Sequence, residues 1–155
     1  IMPEYFSSAP ELGAMLMEAD AALLIGDDAL RARYKNQDRL YIYDLGEEWK
    51  KFTGLPMVFA LWAIRKDFAS KNLEQLKIIK ETFTESIKFS LENVQDVAKK
   101  ASQWEDFGAD YLVDYFRCLR FDFDSSKQEG LLEYYRQAKN QGLLDEVPPL
   151  EILGI

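Results

Sequence analysis

Histidine is absent from the 155-residue sequence, and cysteine occurs once, as Cys118. These two absences exclude a Ser-His-Asp or Cys-His nucleophile system and a Cys/His zinc site built from this chain alone. With a single cysteine no internal disulfide can form, which agrees with a reducing compartment. Long apolar runs are also missing: the longest falls far short of the about 20 residues that a membrane-spanning helix needs. No basic, then apolar, then small-residue leader opens the sequence. The expectation is a cytoplasmic chain with no membrane partner. Positive charge is scarce as well: 19 Lys and Arg stand against 27 Asp and Glu, a net charge of -8. A protein that tracks nucleic-acid phosphates concentrates Lys and Arg, so a nucleic-acid partner is not expected. An anionic small molecule remains compatible, because a local pocket can oppose the global charge.

What is present is ordinary globular composition, 48% hydrophobic and 30% charged, in a chain of single-domain length. Two textures divide it. Up to about residue 65, short helices alternate with short apolar segments, as in α/β units. "SAPELGAMLMEA" offers Ser8 as an N-cap, Pro10 in the first turn, and Leu12, Leu16 and Ala19 on one face. "AALLI" reads as a strand covered on both faces, and "GDDALRARY" as a tight turn into a helix. "RLYIYDL" alternates Leu40 and Ile42 with Tyr41 and Tyr43. A short helix in "YDLGEEWKKFTGLP" follows, and then a third apolar strand from Met57 to Ile64.

From Lys66 onward the pattern is helical. Leu73, Leu76, Ile79, Phe83 and Ile87 form one stripe; Val94, Val97, Ala98, Ala101 and Trp104 form another, with Asn93 as its cap. Gly108 separates these from "ADYLVDYFRCLR". A last helix, about Ser126 to Gln141, is closed by Gly142, and "VPPLEIL" is expected to be extended. Three strands followed by about ninety helical residues make a poor sheet, and the sequence opens Ile1–Met2. The chain is therefore expected to be the second part of a larger α/β protein.

Two stretches stand out as ligand candidates. In "LIGDDAL", Gly26 and Asp27 sit where a buried strand would turn into a helix, at the strand end where ligands of open sheets collect. Read locally, Asp27 or Asp28 is a helix cap. In "GEEWKKFTGLP", Gly54 ends the helix and Pro56 prevents its continuation, while Thr53 and the Gly54 amide offer polar groups to an oxygen-rich ligand. Trp49 and Phe52 read as core, as do the aromatics of "YLVDYFRCLRFDF", with Cys118 as a small buried hydrophobe. "FDFDSS" lacks the glycine and terminal glutamate of an EF-hand loop.

Taken together, "DAALLIGDDALRA", "YDLGEEWKKFTGLPMVFALWAIR" and "GLLEYYRQAKNQGLLDEVPPLE" resemble chorismate dehydratase of the futalosine route to menaquinone. The resemblance implies an α/β fold of the type II periplasmic-binding-protein kind, two lobes with a cleft between them, of which this chain corresponds to the C-terminal part. Residues 1–56 would be a second-lobe α/β segment, and residues 57–155 a crossover strand and a helix-rich C-terminal portion. The implied activity is that of a lyase removing water from chorismate to give 3-enolpyruvylbenzoate. Aromatisation supplies much of the driving force, so no metal or other cofactor is implied. The resemblance places Gly26, Asp27, Thr53, Gly54 and Leu55 at the cleft as substrate-binding residues, with the catalytic residue unassigned. Chorismate, the N-terminal part of the family chain and a second copy are the implied partners, and the isolated chain is expected to be inactive. Two other readings share the fold: the sister enzyme acting on dehypoxanthine futalosine, whose counterpart of "LIGDDAL" carries a histidine, and a solute-binding or regulatory protein.

Overall fold

A computed structural model describes residues 11–36 and 39–154. Every regular element among the described residues is a helix: α1 (Leu12–Glu18), α2 (Gly26–Asn36), α3 (Leu45–Thr53), α4 (Lys66–Ala69), α5 (Leu73–Glu92), α6 (Val94–Ala101), α7 (Ala109–Cys118) and α8 (Ser125–Asn140). This overturns the α/β, periplasmic-binding-protein-like class expected from the sequence. No described residue belongs to a strand. The segments read as strands, 21–25, 39–45 and 57–64, lie outside the helices except for Leu45, which begins α3, and none exchanges ladder hydrogen bonds with another. A strand exists through its partner. An apolar or alternating pattern supplies the side chains for a sheet but not the second backbone. The alternation in "LYIY" survives as exposure alone: Tyr41 is 95% and Tyr43 71% exposed, against 39% for Leu40 and 43% for Ile42.

Helix boundaries follow local chemistry. The Asp44 carboxylate accepts from the Gly46 and Glu47 amides at the start of α3, at 2.9 and 3.2 Å. Asp124 does the same for α8 through the Lys127 amide at 2.9 Å, and Glu11 for α1 through Gly13 and Ala14. Ser8 and Pro10 lie outside the described residues. Asn93 stands between α5 and α6 as expected, but its side-chain amide donates backward to the Phe89 carbonyl at 2.8 Å, so it serves the end of α5. Gly142, at φ +73°, ends α8, and the Leu143 amide reaches back to the Ala138 carbonyl at 2.9 Å.

The core lies where α6 and α7 pack together. Ala98, Phe107 and Leu112 are buried there, with Leu30 of α2, Ala101, Tyr111, Val113 and Phe116 around them. Tyr34 of α2 completes an aromatic group, its ring 5.8 Å from Phe107 and 4.7 Å from Tyr111. Several residues expected to be inside are outside: α6 ends at Ala101, leaving Trp104 85% exposed, and Cys118 ends α7 on the surface. Phe52 and Phe121 are exposed too. The chain presents 12820 Å² to solvent; a compact protein of 18.0 kDa presents about 8000 Å².

Candidate functional site

The turn after α3 is the most tightly specified of the candidate segments. Gly54 adopts φ +75°, a left-handed conformation that side-chain-bearing residues rarely take. Its amide donates to the Lys50 carbonyl at 2.8 Å, closing the last turn of α3. The Thr53 hydroxyl donates to the Trp49 carbonyl at 2.8 Å and accepts from the Leu55 amide at 3.1 Å. Thr53 is thus clamped on both sides. These bonds also use the donors that the sequence had offered to a ligand, the Thr53 hydroxyl proton and the Gly54 amide, and the Leu55 amide is committed within the turn as well. The exposed residue of the turn is Gly54, between the partly buried Thr53 and Leu55.

Beyond Gly54 the chain doubles back along α3. A side-chain carbon placed on Gly46, near the start of α3, would lie 2.8 Å from the Phe59 ring, so Phe59 lies over the beginning of the helix that the turn has just left. On its other side the turn meets α8. A Cβ built on Gly130 would stand 2.2 Å from the Pro56 carbonyl oxygen. Trp49 of α3 faces Tyr134 of α8 edge-on, with ring centroids 5.7 Å apart. The Trp49 indole nitrogen is buried in this seam and has no hydrogen-bond partner.

The second candidate pair is placed differently. Gly26, at φ +60°, opens α2, and Asp27 and Asp28 occupy the first turn, where carboxylates suit the positive end of the helix. Asp28 accepts from Arg31 at 2.8 Å, and Arg31 also reaches Glu105 at 3.2 Å, the contact that chiefly raises its pKa. Among the described residues, no hydrogen bond engages the exposed Asp27 side chain. No described hydrogen bond, ion pair or ring contact joins Gly26 or Asp27 to Thr53, Gly54 or Leu55. Arg33 of α2 pairs with Asp44, the cap of α3, at 3.7 Å, at the opposite end of each helix from its candidate residues.

Other clusters are structural. Lys127, raised in pKa first by Asp122 and then by Asp124, ties the loop before α8 to its first turn. An apolar groove of about 240 Å³ runs between α5, α6 and the end of α7, lined by residues that include Ile87, Leu91, Val97 and Phe121. Among the described residues, no group of three or more His, Cys, Asp or Glu side chains converges as a metal site would require. No described helix is long and apolar enough to cross a membrane.

Sequence reasoning missed Gly130. The available signal was an isolated glycine inside a helical pattern, "KQEGLLEYY", which is unfavourable without a packing reason.

A helical chain with one glycine-closed turn locked between two helices is as far as the geometry goes by itself. The family follows from comparison: a family model described as menaquinone biosynthesis matches residues 1–140. The chain belongs to this menaquinone biosynthesis family, which gives it a role in that pathway.

Proposed function

We propose that the protein acts as a carbon-oxygen lyase, dehydrating chorismate to 3-enolpyruvylbenzoate on the way to menaquinone. The observation that carries this reading is the family match across residues 1–140; beside it stands the resemblance of the "GDDALRA" and "DLGEEWKKFTGLP" stretches to the dehydratase. The reaction needs a base for one ring proton, assistance to the departing hydroxide and donors for two carboxylates. A chain without histidine suits a reaction driven by aromatisation. In this reading Gly26, Asp27, Thr53, Gly54 and Leu55 line the substrate cleft. The turn at Gly54 contributes a fixed wall, since its own donors close α3. The carboxylate donors and the proton-transfer group then come from elsewhere, and the N-terminal part of the family chain is the partner proposed to bring them.

The test incubates the 155-residue chain with chorismate, alone and with the separately expressed N-terminal part of the family chain, and follows product by chromatography and NMR. Formation of 3-enolpyruvylbenzoate only on mixing is the expected result. Turnover of dehypoxanthine futalosine instead of chorismate would assign the chain to the sister reaction, and no turnover of either would overturn the lyase reading.

A further inference from the structure

The mid-helix glycine of α8 has no conformational need of its own. It lies in ordinary helix, and glycine there is disfavoured relative to alanine because it loses more backbone freedom on folding. What it does have is a neighbour. A Cβ at position 130 would be 2.2 Å from the Pro56 carbonyl oxygen, 3.3 Å from the Pro56 carbonyl carbon and 3.6 Å from its Cδ. Close carbon-to-carbonyl-oxygen contacts in proteins settle at about 3.3–3.6 Å, so the missing methyl group is worth a displacement of about 1 Å. The closest group it would strike is backbone, so no flexible side chain can simply move aside. Gly130 itself is buried. The backbone it touches is held at three further places: Gly54 by its amide bond to Lys50, Thr53 by its two hydroxyl bonds, and Pro56 by its own ring.

We propose that Gly130 is a positioning residue: by carrying no side chain, it lets α8 seat directly against the Pro56 carbonyl and thereby fixes the Thr53–Leu55 turn in place. Its importance for catalysis rests on the reading of that turn as part of the substrate cleft. The positioning itself does not. Substitution by alanine pushes the Pro56 carbonyl away from α8, strains the hydroxyl clamp of Thr53 and loosens the Gly54 cap. A shift of 1 Å in positioning groups can lower turnover on the order of 100-fold.

The experiment measures amide hydrogen exchange in the full chain and its Gly130→Ala variant, with chorismate turnover followed in parallel in the presence of the N-terminal part. The expected result is about tenfold faster exchange at the Gly54 and Leu55 amides, with the α6–α7 amides unchanged. Turnover falls on the order of 100-fold, mainly in kcat. Unchanged exchange across residues 50–60 in a folded variant would overturn the proposal. Altered exchange with a wild-type protein that makes no product would leave the positioning role standing and remove the chorismate reading. If Gly130→Ala does not fold, the double variant Gly130→Ala/Pro56→Gly decides, because a freed carbonyl can turn away from the new methyl group. Recovery of folding supports the contact, and a double variant that still fails to fold sinks it.

Discussion

Where α2 meets α6 and α7, the contact is made by side chains: Leu30 and Tyr34 against Phe107, Tyr111 and Leu112, edged by the Arg31–Glu105 and Lys35–Asp106 pairs. Where the turn after α3 meets α8, backbone touches backbone at Pro56 and Gly130, with Trp49 and Tyr134 alongside. The first seam is adjustable. Its side chains can change rotamer, and its ion pairs are half in water, where such pairs contribute little. The second has no such slack, since neither the helix interior nor the proline can yield cheaply. The difference separates a seam that supplies stability from one that supplies position.

That comparison can be broken at its stable side first. Leu112, 3% exposed in the α6–α7 core, should cost about 2–5 kcal/mol when replaced by alanine, through lost burial and the cavity left behind. Urea unfolding should show this as a lower midpoint. Catalysis by the molecules that remain folded should be nearly unaffected, and a kcat that falls in proportion to stability would erase the distinction between the seams.

Gly54→Val probes the other side. A β-branched residue held at φ +75° costs about 1–3 kcal/mol, and the strain falls on the turn. Melting temperature and chorismate turnover, measured on the same preparation, should show a moderate loss of the first and a larger proportional loss of the second. Normal turnover would remove the turn from the cleft.

The smallest effect is electrostatic. Asp124 caps α8, and the Lys127 amide, followed by the Lys127 ammonium, holds its carboxyl below the ordinary range. At the start of α1 the Ala14 and Gly13 amides lower Glu11 likewise. A carboxylate whose folded pKa is depressed contributes stability that is fully present above its unfolded pKa, about 4, and lost as pH falls through the folded value. Stability should therefore be flat from neutral pH down to about 5 and decline below it. Asp124→Asn keeps a capping side chain but removes that acid-sensitive share, so its acid limb should be shallower. An identical limb would mean that the cap carries none of the pH dependence.

The readable parts of this chain were those decided by neighbours in sequence. Gly54 before Pro56, Gly142 after the last helix and the helical period of α5 each announce themselves within four residues, and each element stands where it was expected, although Leu73, Ile79 and Phe83 of the α5 stripe are exposed. The strands failed because pairing is a relation between distant backbones, which "AALLI" or "MVFALWAI" cannot state alone. Cys118 and Trp104 failed for a related reason: helical periodicity names a face, but what covers that face is fixed by where the helix stops, at Ala101 in one case and Cys118 in the other. The candidate site was legible as a turn and illegible as a contact. Gly130 lies 74 positions beyond Pro56, and only the packing of α8 connects them.

The placement of the three tryptophans gives the chain a built-in optical reporter. Trp62, although its ring lies 4.6 Å from that of Phe83, tilted by 34°, is 85% exposed, as is Trp104, so both indoles emit into water and lie open to collisional quenchers. Trp49 alone keeps its indole nitrogen buried, wedged between α3 and α8 and bonded to nothing. Light that survives quenching therefore comes mainly from the seam that Gly130 closes, and its colour registers whether that seam is shut.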